Sequence, residues 1–387
     1  MKNYSNVKNL IATVISVVFV FTACKKNEPE TPEVNQVEGW EIELVDSIPG
    51  SEAGLFNMLA FDADSGVHIA YVVSQNSIYS LKYAYKPYKG NWTISQVASP
   101  ISDNIIDIAL DNQKNVFIVY RGYAPDEPDN ERMFIAEKSI NGSFNAVMVD
   151  VLGQNQSFSA RYPSLYADEN DRIHLAFERA NYGMRYTTYS FQGEFTPVEI
   201  FDDNITGSSS DIVVDSEGNK HIVHFNNENV YYSFCGYADN TWIVSHIATG
   251  DEGNDSYAGI SVARDRFDNL HVAYRHSSYD NNIHYLFKPA GSSNWMEQGI
   301  GNTGGSNRYD RAMACDTLGN PHILYDESYG LKIASKKGSW SSEHILGNSD
   351  YRCDSNYDIE ITDKNRAHVS FYCRTTGVLR YASRILK

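Results

Sequence analysis

Cysteine is scarce in this chain, with five in 387 residues. None stands in a CxxC or Cys/His ligand spacing, which argues against a zinc site, and no metal or other cofactor is expected. Cys353 and Cys373 flank the last hairpin signal and could meet as a disulfide in an oxidising compartment. Helical periodicity of useful length is missing beyond the first two dozen residues, which excludes a helical bundle or an alternating α/β fold. Positive charge is in deficit: 32 Lys and Arg stand against 49 Asp and Glu, a net charge of −17. That excludes nucleic acid and anionic membrane surfaces as natural partners. One long apolar run is present, residues 10–21, and it is too short to cross a bilayer.

That run follows Lys2 and Lys8 and suits the core of a signal peptide. It ends in Phe21-Thr22-Ala23-Cys24, which resembles the lipobox of bacterial lipoproteins. The resemblance implies removal of residues 1–23 and lipidation of Cys24. With Lys25 rather than Asp next, it also implies anchoring in the outer membrane, at the cell surface or periplasmic face. Loss of Lys2 and Lys8 leaves a net charge near −19. Residues 24–38 continue as a polar, proline-bearing stretch that cannot bury a core and reads as a flexible tether.

What is abundant is repetition. In residues 211–225, DIVVDSEGNKHIVHF, two apolar runs flank a turn, which is a β-hairpin signal. An Asp six residues before a His recurs as Asp62/His68, Asp168/His174, Asp215/His221, Asp265/His271 and Asp316/His322. Asp111/Phe117 and Thr362/His368 are degenerate copies, so seven units start 46 to 57 residues apart. Three residues after the His position comes an aromatic, Tyr71, Tyr120, Phe177, Tyr274, Tyr325 or Phe371, with His224 in the fourth unit. A third alternating strand follows, then an aromatic that opens a fourth: Trp92, Phe144, Phe195, Trp242, Trp295 and Trp340.

Four antiparallel strands in about 50 residues make a propeller blade. Residues 39–387 therefore read as an all-β, seven-bladed β-propeller. The seventh unit ends at Lys387 without a fourth strand, and residues 39–48, opening Gly39-Trp40-Glu41, carry the missing pattern. They are expected to complete the last blade and close the ring. All five tryptophans fall at this one repeat position, which assigns them to packing between blades. The repeated Asp and His are likewise expected to build turns and hydrogen bonds rather than perform chemistry.

The hairpin turns face one end of such a ring, and the longer, unlike loops face the other. Half of the 16 arginines gather on the loop end, together with tyrosines. The candidate ligand residues are Arg161, Tyr162, Arg179, Tyr257, Arg275, His276, Arg308, Tyr309, Arg311, Tyr351, Arg352 and Tyr357. Guanidinium forks pair with carboxylate or sulfate, and phenol rings stack on sugars while donating hydrogen bonds. Four residues before the repeat Asp, the innermost strands carry Asp107, Asp211 and Asp358. These could face a central channel and hold water or a cation.

The stretch 39–387 resembles the BNR-repeat, sialidase-like propellers. Arg161-Tyr162-Pro163-Ser164-Leu165, followed by Ile173-His174-Leu175-Ala176-Phe177-Glu178-Arg179, is similar to the Arg-x-Pro segment and next strand of the sialidase domain. The resemblance implies an arginine that grips a sugar carboxylate. The family's Ser-x-Asp-x-Gly-x-x-Trp box is missing, and no nucleophile or acid is assigned by motif. Three functions stay open: a lipoprotein binding glycan or polysaccharide, a glycan-degrading hydrolase or lyase, and a protein-interaction platform in the envelope. Glycan binding is the preferred expectation.

Overall fold

The computed structural model describes residues 38–386 except 103–104, 125–126, 150–159, 180–182, 203–206, 227–228, 240, 250–258, 276–282, 301–312, 328–329 and 347–355. Among the described residues there are 28 strands and no helix. They assemble into five four-stranded antiparallel sheets and one of eight strands. The eight-stranded sheet joins the first two repeat units through one pair, Ile101 with Gly122. A representative sheet runs Gly207–Val214, Lys220–Asn226, Asn229–Cys235, Ile243–Thr249, each strand paired with the next. First strands of successive units lie against each other, and fourth strands are the exposed edge.

Five of the hairpin turns use the repeat Asp in one way, while Asp111 keeps one of the amide bonds and Thr362 instead donates to the Arg366 carbonyl. Asp215 Oδ1 accepts the amides of Glu217 at 3.0 Å and Asn219 at 2.8 Å, and the Asn219 side chain donates to Oδ2 at 2.8 Å. Asp62, Asp168, Asp265 and Asp316 repeat the pair of amide bonds. The residue three after the Asp position has positive φ in all seven units: Ser65, Lys114, Asp171, Gly218, Asp268, Gly319 and Asn365. The sequence offers glycine for this role in only two of them. Asp and Asn tolerate the left-handed region because their side chains bond locally. Ser65 and Lys114 are held there by the amide bonds to Asp62 and Asp111.

Behind the turn lies a buried relay. His68 Nε2 meets Asp62 Oδ2 at 3.3 Å while its Nδ1 meets the Tyr83 hydroxyl at 2.6 Å. The trio recurs as Asp168–His174–Tyr186, Asp215–His221–Tyr232 and Asp265–His271–Tyr285. A carboxylate can only accept, so Nε2 carries the hydrogen and Nδ1 accepts from the phenol. Burial raises the pKa of these tyrosines, which keeps the hydroxyl a donor. The relay ties the turn to the third strand and is structural, as its repetition implied.

The next unit packs on that same tyrosine. Trp92 meets Tyr381 edge-on at 5.5 Å, and Trp242, Trp295 and Trp340 meet Tyr186, Tyr232 and Tyr285 at 5.3, 5.2 and 5.1 Å. A lysine lies over each contact: Lys86 over Tyr381, Lys220 over Tyr186, Lys288 over Tyr232 and Lys336 over Tyr285. Each aromatic contact adds about 0.5–1.5 kcal/mol beyond area burial. The tryptophans are thus packing residues between sheets.

Strand Glu41–Asp46 pairs antiparallel with Val378–Ile385, Glu41 opposite Ser383 and Asp46 opposite Leu379. Trp40, just before it, is buried, with the Arg384 guanidinium 4.9 Å from its ring centre. Leu59, Ile69 and Tyr71 of the first unit share one apolar cluster with Leu379 and Tyr381 of the last. Cys373 is a buried free thiol; Cys353, which the sequence offered as a possible disulfide partner, lies outside the described residues. The signal segment, Cys24 and most of the tether lie outside them too.

Candidate functional site

Antiparallel pairing puts the start of each first strand beside the end of each second strand, and this strand end is the loop face. In the third unit Arg161 sits opposite Glu178, and Ala160 opposite Arg179. Arg161 is exposed, Tyr162 and Arg179 are half-buried, and Glu178 is buried. The pairing slips between Arg161 and Ser164, and Tyr162 there has a φ of 49°. Ser210 Oγ of the next unit donates to the Tyr162 carbonyl at 3.1 Å. Phe56 and Ser209 hold the same place in their units, with φ of 48° and 56°. A non-glycine residue in this region costs about 1–3 kcal/mol and persists where its surroundings over-determine it. The bulge is a repeated way of turning a residue toward the loop end. No glycine marks it, so the residue types alone do not announce it.

The other expected residues divide. Arg275 ends the strand Leu270–Arg275 opposite Ile283, on the same end. Tyr357 is fully buried, and its hydroxyl donates to Asp326 Oδ1 at 3.5 Å. It therefore has no ring face to offer a sugar, and its place on the expected list is corrected to a packing role. Tyr257, His276, Arg308, Tyr309, Arg311, Tyr351 and Arg352 lie outside the described residues. The structure thus brings together Arg161, Tyr162, Glu178 and Arg179 at one strand end.

The three inner aspartates are engaged by their neighbours. Asp107 Oδ2 accepts the amide of Leu165 at 2.6 Å, Asp211 Oδ2 that of Val262 at 2.8 Å, and Asp358 Oδ2 that of Leu59 at 2.7 Å. Each bond runs from the first strand of one unit to the first strand of the next, or from the last unit to the first. Asp211 also accepts from Ser164 Oγ at 2.8 Å, and burial pushes its carboxyl up to about 6 despite these donors. These carboxylates bind sheet to sheet. Among the described residues no cluster of acidic, Cys or His side chains suits a metal ion.

The turn face is consumed by the scaffold as well. Asn112 N donates to Asp171 Oδ1, Ser216 N to Asp268 Oδ1 and Thr317 N to Asn365 Oδ1, each from one unit's turn to the next. Asp215 shows the electrostatic result. Burial would raise its pKa, but hydrogen bonds from His221 and Asn219 outweigh that and hold it at about 2.

No protein-family model matches the sequence, and no curated protein matches it. Solved structures do resemble this protein. The BP39L lectin from Burkholderia pseudomallei superposes with a TM-score of 0.68 at 10% identity, covering 86% of this chain and 96% of the lectin. The fold is a β-propeller. An inactive virginiamycin B lyase from Staphylococcus aureus, solved with quinupristin, gives 0.57 at 10% identity over 90% of this chain and 100% of its own. AofleA from Arthrobotrys oligospora gives 0.52 at 13% identity, with 81% and 93% coverage. At such identities the likeness speaks for the fold alone, since propellers host many activities.

Proposed function

We propose that this protein is a glycan-binding β-propeller of seven four-stranded blades. The ring is closed by residues 39–48, and a lipid on Cys24 holds the protein at the outer membrane. The ligand meets the loop face at Arg161, Tyr162 and Arg179, with Arg275 and the loop residues His276, Arg308, Tyr309, Arg311, Tyr351, Arg352 and Tyr257 around them. The observation that carries the reading is the contrast between the two ends. At the turn end the repeat carboxylates are taken by backbone amides and histidines, whereas at the loop end an exposed arginine stands on a bulge beside a second arginine and a tyrosine. Such groups suit carboxylate- or hydroxyl-bearing sugars. The likeness to a lectin is in keeping with this.

The test is to incubate the protein from residue 25 onward with acidic and neutral glycans and measure both retention and product release. Retention without product is expected, and it should be lost in the Arg161→Ala, Arg308→Ala, Arg311→Ala triple variant. Undiminished retention by that variant removes the loop face from the site. Release of product assigns hydrolase or lyase activity instead.

A further inference from the structure

A second place on the molecule departs from the repeat in a way that points to a ligand. Where the last unit meets the first, Glu43 stands opposite the relay tyrosine Tyr381. It accepts from the indole Nε1 of Trp92 at 3.1 Å and from the Lys86 ammonium. Where the third unit meets the fourth, Glu199 stands opposite Tyr186 and accepts from Trp242 Nε1 at 2.8 Å, with Lys220 over both rings. The Glu43 carboxylate thus neutralises a lysine and satisfies an indole at once, and the Glu199 carboxylate satisfies the indole beneath a lysine.

Where the fourth unit meets the fifth, the residue opposite Tyr232 is Ser245. Lys288 still lies over Tyr232, 5.7 Å from the ring centre, and Trp295 still meets that ring edge-on. Neither Lys288 Nζ nor Trp295 Nε1 has a hydrogen-bond partner among the described residues, and Lys288 forms no ion pair there. The nearby Asp215 carboxylate is already engaged by two amides, Asn219 Nδ2 and His221. A cleft of about 610 Å³ opens at this place, within the ~300–1,000 Å³ of typical ligand pockets. Trp295, Phe234, Ile243 and Phe267 line it, and Ile243 and Phe267 are 59% and 52% exposed.

The two other described units that have the relay tyrosine but lack the carboxylate differ. Ser95 stands opposite Tyr83, but there the aromatic is Phe144, which has no N–H. Gln298 stands opposite Tyr285, and there the Trp340 Nε1 is buried.

We propose that this cleft binds an acidic saccharide, its carboxylate received by Lys288 and Trp295 beside Ser245 and its ring faces resting on the surrounding aromatic walls. The ammonium and the indole N–H supply the two donors that Glu43 receives elsewhere, the indole being the one that Glu199 also receives. The aromatic faces suit the C–H faces of a sugar, and Ser245, Ser292 and Ser293 at the cleft suit its hydroxyls. The proposal shares with the glycan reading only the class of ligand, since the residues and the end of the molecule differ.

Tetragalacturonate and its methyl ester, titrated into the full chain with tryptophan fluorescence and calorimetry as readouts, test it. The free acid should bind, and the ester about tenfold or more weaker. Ser245→Glu installs the carboxylate that Glu43 and Glu199 supply at the same register. It should weaken binding of the acid about tenfold or more while leaving the unfolding midpoint equal or higher. Lys288→Gln should weaken it similarly, so the question stays decidable if Ser245→Glu folds poorly. Repeated in the Arg161→Ala, Arg308→Ala, Arg311→Ala background, which removes loop-face binding, the preference for the acid and its loss in the cleft variants should persist, which separates failure here from failure at the loop face. Absence of binding by the wild type, equal binding of acid and ester, or unchanged binding by both cleft variants overturns the proposal.

Discussion

Replacing Asp358 with Ala tests whether the first and last units are joined as the bonds between them indicate. The Asp358 carboxylate accepts the amide of Ile359 at 2.8 Å and that of Leu59, 299 residues away, at 2.7 Å. Asp358 and Leu59 are both about 1% exposed, so water does not readily replace the lost acceptor. Stranding a buried donor costs about 1–3 kcal/mol, so losing both acceptors should cost about 2–6 kcal/mol. For a unit of about 350 residues, Asn35–Lys387, the melting entropy is about 0.7 kcal/mol/K, which turns that into a midpoint lower by about 3–8 °C. Asp107→Ala, which releases the amides of Ile108 and Leu165 in the same way, is the internal reference. Differential scanning calorimetry on both variants at pH 7 is the assay. If Asp107→Ala shows the full loss while Asp358→Ala lowers the midpoint by less than about 1.5 °C, roughly 1 kcal/mol by the same scale, the last unit does not hold the first.

Gly54→Ala should be destabilising, because φ there is +110° and a Cβ would stand 2.8 Å from Leu379 Cβ in the last unit. Gly338→Ala meets positive φ in open space, so only the backbone cost of about 1–3 kcal/mol applies; equal midpoints for the two variants would count against the Gly54–Leu379 contact. Acid should weaken the fold between pH 6.5 and 5. Burial lowers His224 to about 4 and His368 to about 3, and it lowers His68, His174 and His322 as well. Below pH 6.5 the unfolded chain therefore takes up protons that the native state refuses, at about 1.4 kcal/mol per pH unit per histidine. His224 and His368 alone lose about 4 kcal/mol by pH 5. Asp211, raised to about 6, has the opposite sign and returns about 1.4 kcal/mol. A midpoint at pH 5 at or above that at pH 7 would refute this balance. Cys24→Ala should abolish incorporation of a labelled fatty acid in the producing cell; persistent labelling would remove the lipid anchor from the proposal.

The scaffold was legible because each repeat position is set by local chemistry. An Asp before a turn, a His six residues on and a Trp opening the fourth strand can each be recognised within one unit. The Tyr that completes the relay was visible as an alternating strand residue, but its bond to His needs the register of the second and third strands. His221 faces Phe234 across the ladder and yet bonds Tyr232, two residues back. Likewise the inner aspartates read as channel residues, because nothing local says that Asp107 will meet the amide of Leu165 in the next sheet. At the candidate site, Arg161 and Arg179 were singled out by their chemistry and the register puts them at one strand end, while the phenol of Tyr357 is spent on Asp326 within the fold, which nothing local announces.

The same distinction bears on where ligands can be received. A position filled alike in every unit, such as the relay histidine, is already satisfied by its own neighbours and has nothing left to offer a ligand. A position whose partners recur while its own residue varies is different, because the surrounding groups keep their demands. Opposite the relay tyrosine the chain supplies Glu43 or Glu199 in some units and Ser245 in another, while lysine and indole remain in each. A buried or half-buried ammonium is costly without a counter-charge, so the absence of a carboxylate at Ser245 weakens that contact in the free protein. Persistence of Lys288 and Trp295 there, on a cleft with exposed aromatic walls, is explained if an outside carboxylate completes what the repeat leaves open.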